Sequence, residues 1–252
     1  MYRTRPNETR GSIVVKAQPP RTFSSDENET WKTVFTRHQP TRENKIFELF
    51  NQGVATLQMK ADQIPDLVLV NKILEPISGF QGLLVEGLED GASFYQLLAE
   101  RFFPVGNFIR AKDDIGYTPA PDIIHDLYGH LPFFIDKDYA DFCQKFGETA
   151  IRYSDRPELF QQFERFFWYT IEFGLIETEH GLKVFGAGIA SSLGECEYAL
   201  GPTPKLVPFD IDKIRHQDFR IDIMQPTLFV LKNVRQLFTS LEALENKIRS
   251  SP

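Results

Sequence analysis

The chain is poor in cysteine, tryptophan and methionine: 252 residues hold 2 Cys, 2 Trp and 3 Met. Cys143 and Cys196 stand far apart without a CxxC pair, which excludes a disulfide framework or a thiolate zinc site and fits a reducing, cytoplasmic setting. Long apolar runs are also missing. No stretch approaches the roughly 18 apolar residues of a membrane span, and the opening "MYRTRPNETRGSIVVKAQPP" has no apolar core of the kind a secretion signal carries. Basic clusters are lacking too. With 28 Lys+Arg against 35 Asp+Glu, a net charge of -7, no basic face is offered to phosphates, so neither nucleic acid nor membrane is an expected partner.

What the chain does have is an ordinary globular balance, 42% apolar and 25% charged, with an unusual stock of flat rings. The 23 Phe and 8 Tyr suggest a core, and a pocket, built from aromatic faces. The length suits one substantial core. Residues 1–29 are polar and rich in Pro, Thr, Ser and Arg, and read as a flexible N-terminal arm. Residues 30–252 read as a single folded domain, with no internal repeat or linker.

Helical periodicity dominates that domain. Residues 43–60 place Ile46, Phe47, Phe50, Val54 and Leu57 on one stripe. "DGASFYQLLAERFF" offers Ser93 as a cap with Phe94, Leu97, Leu98 and Phe102 behind it, and Asp138 can cap a helix carrying Tyr139, Phe142 and Phe146. Pro157 suits the first turn of a long helix running through Phe160, Phe163 and Phe167 to Leu175. Leu231, Val234, Phe238, Leu241 and Ile248 predict a final helix. Strand-like alternation is confined to short pieces such as "FRIDIM" and "LKVFGAG". The expected fold class is therefore mainly α, an α+β domain with minor short strands.

The segment "PDIIHDLYGHLPFF" carries the chemistry. Positions five apart in an ideal helix are about 140° apart around its axis, so His125 and His130 share a side only if the helix is interrupted. Gly129 and Pro132 can supply that interruption. The alternative is a pair of ordinary core or surface histidines. A metal held by two imidazoles needs a further ligand, and Glu172 in "FFWYTIEFGL" is an acid among apolar residues, where a buried charge calls for a compensating cation. It could instead face solvent from an amphipathic helix. Two His and one carboxylate suit non-haem Fe(II), while zinc hydrolysis uses the same donors.

The motifs "FPVGNFIR", "YTPAPDIIHDLYGHLPFF", "FFWYTIEFGL", "KVFGAGIASSLGE", and "PFD" ahead of "QP", occur in the order found in one family. From about Trp31 to Leu244 the chain resembles the pterin-dependent aromatic amino acid hydroxylases, and most of all their compact bacterial members acting on phenylalanine. The resemblance implies the catalytic-domain fold of that family over residues 30–252, with Fe(II) held by His125, His130 and Glu172. It implies a tetrahydropterin, tetrahydrobiopterin or a bacterial analogue, as cofactor, O2 as co-substrate, and a place in phenylalanine breakdown.

The same resemblance implies that Arg110 grips the substrate carboxylate, a role for which a guanidinium fork is suited. Tyr117, Thr118 and Pro121 fall on the loop lining the amino acid, Ser191 beside the substrate and the first histidine, and Trp168 in the aromatic pocket. Ile221 falls where tyrosine hydroxylases carry an acid. Trp168 and Ile221 together imply phenylalanine as preferred substrate, with relaxed action on tyrosine or tryptophan the alternative. Phe94 matches the ring that stacks on the pterin, and Asp126 the acid beside the first histidine. Phe167 departs from a common Tyr near the iron, Pro104 from a His of the animal enzymes, and Glu89 from an apolar residue of the pterin loop. A monomer or weak homodimer is implied by the lack of the animal enzymes' regulatory and tetramerisation segments.

Overall fold

The computed structural model describes residues 21–85, 90–112, 115 and 121–250. The first helix, α1, spans Ser25–Lys45 and opens with a capping box: Ser24 Oγ accepts from the Glu27 amide while the Glu27 side chain accepts from the Ser24 amide. Ser25 to Glu29, assigned to the arm by composition, thus form the first turns of a helix. The stripe expected to run through residues 43–60 as one helix is broken. Ile46 bridges Val184, and the Phe47 amide donates to Val184 O at 2.8 Å, so the chain leaves the helix to pair there before α2 (Glu48–Thr56) begins.

Helix α3 (Leu67–Ser78) ends at Gly79, whose φ of 76° is the left-handed cap that glycine permits. Strand β1 (Gln81–Val85), helix α4 (Gly91–Ala99) and strand β2 (Phe102–Gly106) follow, and β1 and β2 pair in parallel. The cap of α4 is Asp90, not Ser93. One Asp90 carboxylate oxygen takes the Ser93 amide and the other its hydroxyl, both at 3.0 Å. Asp136 likewise replaces Asp138 as cap of α5 (Lys137–Ala150), accepting from the Tyr139 amide at 2.8 Å. A side chain three residues ahead of the orphan amide reaches it; one inside the first turn does not.

Helix α6 (Pro157–Phe167) starts with its proline, as expected. It does not continue to Leu175, which opens β3 (Leu175–Thr178). Then come β4 (Gly181–Val184), α7 (Ala187–Ala190), α8 (Leu193–Ala199), β5 (Lys205–Pro208) and α9 (Ile211–His216). The expected single C-terminal helix is three elements, β6 (Thr227–Leu231), α10 (Val234–Phe238) and α11 (Leu241–Arg249), because Asn233 caps a fresh helix after the strand. The larger sheet runs β4-β3-β6-β5, with only the β3–β4 pair antiparallel. "FRIDIM" is a loop. Buried Gln225 donates to the Arg220 and Ile223 carbonyls, and Arg220 pairs with Asp222, so its polar groups are spent on a turn. The mainly helical reading with minor sheet holds. One aromatic core, including wholly buried Phe50, Phe80, Phe133, Phe146 and Phe163, lies between the helices and packs against the back of the site.

Candidate metal centre and aromatic pocket

Both segments that carry the candidate ligands are π-helical: Ile124–His130 and Trp168–Glu172. Hydrogen bonds from residue i to i+5 widen the turn, so residues five apart stand much closer together around the axis than the about 140° of an α-helix. His125 and His130 therefore share a face without the break that Gly129 and Pro132 were expected to supply. Pro132 instead lies in the first turn of a short 3-10 segment, Leu131–Ile135. Gly129 matters for packing instead. A Cβ there would lie 2.8 Å from Ser191 Cβ and 2.9 Å from Ala187 O, so only glycine lets α7 close onto the first π-helix. Gly186 does the same for the second, its absent Cβ falling 2.2 Å from Glu172 O.

Three donor atoms converge. His130 Nε2 lies 3.3 Å from His125 Nε2 and 3.2 Å from Glu172 Oε2, and His125 Nε2 lies 3.6 Å from the same oxygen. Donors about 2.1 Å from a common ion are separated by about 3.0 Å at right angles and about 3.4 Å in a tetrahedron, so these spacings leave room for one. Burial lowers the pKa of His125 to about 4, with His130 and Arg110 adding to the effect against Glu172 and Asp122. Burial raises the Glu172 carboxyl, but the two histidines outweigh it and hold it below the ordinary carboxylate value. A neutral imidazole and an ionised carboxylate are the forms that bind a metal. Among the described residues this is the one His/Cys/Asp/Glu group suited to an ion. Phe103 on β2 stacks on the His130 ring at 4.3 Å and 25°, fixing its plane.

Arg110 is buried and forks onto Asp122: Nε donates to one oxygen at 2.9 Å and Nη2 to the other at 2.8 Å. Asp122 also accepts the amides of Arg110, at 2.8 Å, and His125, at 3.1 Å. One wholly buried carboxylate thus ties the guanidinium to the metal-facing helix. Sequence reasoning passed over it. The signal was present, an acid just ahead of the helix and three residues before a histidine in its first turn, which is where a capping acceptor belongs.

The remaining candidates fall around this pair. Ser191 Oγ lies 3.5 Å from His125 Nδ1 and donates to Gly188 O at 3.0 Å. Trp168 is held between Phe173 at 4.4 Å and Phe219 at 4.3 Å, the latter tilted only 14°. Neither Phe stands out in the sequence, since apolar rings in a Phe-rich chain carry no mark of their own. Phe94 is partly exposed and meets Phe167 edge-on at 5.3 Å and Phe103 at 5.7 Å. Asp126 is buried and accepts the Gly106 amide at 2.8 Å; burial, with Asp122 and Glu172 nearby, raises its pKa well above the ordinary value despite that bond. Pro104 lies in β2 opposite Leu83, and Pro121 is half-buried at the head of the metal-bearing segment. Ile221 is 61% exposed and is not buried with Trp168. Tyr117, Thr118 and Glu89 lie outside the described residues.

A phenylalanine-4-hydroxylase of Ralstonia nicotianae is 35% identical over 222 residues, covering 88% of this chain and 71% of the relative. The structure of Chromobacterium violaceum phenylalanine hydroxylase with iron(III) and 7,8-dihydrobiopterin superposes with a TM-score of 0.87 at 32% identity, covering 94% of this chain and 87% of that one. The same enzyme with iron and phenylalanine bound gives 0.83 over 91% and 85%. The sequence profile of the biopterin-dependent aromatic amino acid hydroxylases matches residues 14–251, and the chain belongs to that family.

Proposed function

We propose that the chain is a phenylalanine 4-monooxygenase, converting L-phenylalanine to L-tyrosine with O2 and a tetrahydropterin at non-haem Fe(II). The observation that carries this is the convergence of His125 Nε2, His130 Nε2 and Glu172 Oε2, a two-nitrogen, one-oxygen donor set that leaves other positions on an ion open. These donors fit iron, which when bound supplies the oxygen-activating chemistry together with the pterin.

The protein's own part is binding, orientation and exclusion of water. Arg110, preset by Asp122, would turn its Nη1, which here makes a long 3.5 Å bond to Ile115 O, to the amino acid carboxylate, and Ser191 lies beside the first histidine. Trp168, pinned between two phenylalanines, has its faces covered and offers the substrate ring a fixed edge, a wall that cannot turn. Holding the ring's para carbon toward the metal face is where such a wall contributes to rate. Phe94 offers a partly exposed face to the pterin, with Asp126 and Phe167 beside it. Pockets of this type separate related side chains by about 1–3 kcal/mol per contact, so slower turnover of tyrosine or tryptophan belongs to the same reading. The chain from Ser25 onward acts as one catalytic unit, in the cytoplasm, as a monomer or weak homodimer, and the net charge of -7 disfavours nucleic acid as a partner.

The test loads protein purified without oxygen with Fe(II), adds tetrahydrobiopterin and oxygen, and supplies Phe, Tyr and Trp separately while products are identified by mass. Tyrosine from phenylalanine, lost in His125→Ala and Glu172→Ala together with stoichiometric iron, is expected. Amide or ester cleavage by zinc-loaded protein, with no oxygenated product from iron-loaded protein, would overturn the reading in favour of a hydrolase.

A further inference from the structure

Behind the metal-bearing π-helix, on the side away from His125 and His130, lies a buried polar cluster that the hydroxylation reaction does not use. Tyr128 sits between the two histidines in sequence and is packed edge-on against Trp31 at 5.8 Å and Phe50 at 5.2 Å. Its hydroxyl oxygen is 2.8 Å from His38 Nδ1 and 3.4 Å from Arg42 Nη1. His38 Nε2 is in turn 3.9 Å from Cys196 Sγ, and Cys196 donates to Ile189 O at 3.2 Å. Tyr128 is 1% exposed, and His38 and Cys196 are wholly buried.

The donors and acceptors fix the direction of this chain. Arginine can only donate, so Arg42 gives its hydrogen to the Tyr128 oxygen, and the His38 tautomer with Nδ1 bare is the one that lets the buried phenol's own hydrogen find a partner. The Nε2–H then faces the sulfur, whose hydrogen goes to the Ile189 carbonyl. Burial, with Arg42 adding to it, pushes the His38 pKa down to about 4, so the ring is neutral at rest and free to accept. A phenylalanine at 128 would fill the same space among the same rings, whereas the hydroxyl brings a polar atom that must be satisfied in a dry core. The arrangement is that of a phenol hydrogen-bonded to a neutral base, next to an indole and a thiol, on the same π-helix as the histidines that would hold the metal.

We propose that Tyr128, with His38 as its proton acceptor, is a one-electron donor that discharges the metal-centred oxidant formed when oxygen and tetrahydropterin react without an amino acid in place. The inference rests on the function proposed above. One electron would pass from the Tyr128 ring to the oxidised metal that His125, His130 and Glu172 would hold. The phenolic O–H bond breaks, its proton forms an N–H bond at His38 Nδ1, and a neutral phenoxyl radical remains. An oxidised phenol is a far stronger acid than an imidazolium, so the transfer runs toward His38 in spite of Arg42. An electron from a further tetrahydropterin or a solvent thiol, with the proton returning from His38, restores the phenol. The function is protection: the oxidising equivalent comes to rest behind the π-helix instead of on the ligands or on Trp168.

The experiment uses the full chain loaded with Fe(II), mixed with tetrahydrobiopterin and oxygen but no amino acid, freeze-quenched and followed by electron paramagnetic resonance. The expected result is an organic radical whose hyperfine structure narrows in protein made with ring-deuterated tyrosine, absent in Tyr128→Phe and strongly reduced in His38→Gln. Intact and peptide mass should show Tyr128→Phe accumulating oxidised His125, His130 or Trp168, and losing activity after several-fold fewer uncoupled turnovers. Its initial rate of tyrosine formation with phenylalanine present should match the parent's, and its melting transition should report an intact fold. A radical signal unchanged by Tyr128→Phe, or no signal together with equal inactivation of parent and variant, would overturn the proposal. Failure of the parent protein to make tyrosine at all would instead strike the function on which it rests.

Discussion

Replacing Asp122 with asparagine tests whether one buried carboxylate organises both Arg110 and the π-helix that carries His125 and His130. Asp122 is wholly buried and accepts four hydrogen bonds, two on each oxygen. Asparagine keeps the shape but turns one oxygen into a donor. Whichever way the amide settles, two of the four N–H groups then face another N–H, at about 1–3 kcal/mol for each unsatisfied group. The Arg110 charge also loses its buried partner, for which the expected total is about 3–5 kcal/mol, a large share of the roughly 5–15 kcal/mol that holds a domain folded. Urea unfolding of the metal-free protein should show the midpoint falling by about 1 M or more at a slope near 3 kcal/mol/M, with the slope unchanged. In the loaded enzyme the KM for phenylalanine should rise more than kcat falls, because Arg110 loses the partner that presets it. A loss under about 1 kcal/mol with an unchanged KM would refute the argument.

Packing and charge each supply a further prediction. Gly129→Ala should cost about 1–3 kcal/mol by overpacking and lower iron affinity, since the new methyl meets Ser191 and the Ala187 carbonyl and must push α7 off the π-helix; metal titration and thermal melting of the same sample check both. Glu195, buried without an ion-pair partner among the described residues, has its pKa raised by burial from 4.5 to about 7. Its native form binds more protons than its unfolded form between those values, so its ionisation lowers stability as pH rises through that window and the penalty is complete above it. Glu195→Gln should therefore stabilise the protein by about 2–3 kcal/mol at pH 8 and by about half as much at pH 5.5. Denaturant unfolding of metal-free parent and variant at the two pH values decides it, and equal gains at both would refute the assignment.

The parts of the molecule legible in the sequence are those decided locally. Pro157 opens α6, and the apolar stripes of α5 and α11 lie on the core, because a proline without an amide and a repeat of about 3.6 act within a few residues. The misread parts are those where a distant partner decides. Nothing near Ile46 and Phe47 says that the chain will break its helix to pair with Val184, which lies on the far side of the sequence. The alternation in "FRIDIM" describes a strand, but Tyr169 OH donates to Asp218 O at 2.7 Å and Gln225 reaches back to the Arg220 carbonyl, and together they fold the segment into a loop. The caps were misplaced by two or three residues for a related reason: Asp90 and Ser93 are both good acceptors, and geometry chooses between them.

The spacing of the histidines shows how far the site itself was legible. Residue types raised His125, His130 and Glu172 as candidate donors while leaving core histidines and a solvent-facing acid open, the family resemblance selected the set, and the five-residue interval did not fit an α-helix. A broken helix and a π-helix both reconcile it, and they make different demands. A break would leave His130 on a loose turn, whereas a π-helix keeps both rings on one rigid element at the expense of weaker backbone geometry. That expense must be offset by packing, and the structure shows where: α7 approaches over Gly129 and Gly186, Phe103 stacks on His130, and Asp122 takes the His125 amide. The second π-helix holds Glu172 by the same means, with the Phe173 amide bonded to Trp168 O and the Gly174 amide to Thr170 O. The ligand geometry is thus a property of the packed domain, and substitutions that loosen α7 should release the metal before they unfold the protein.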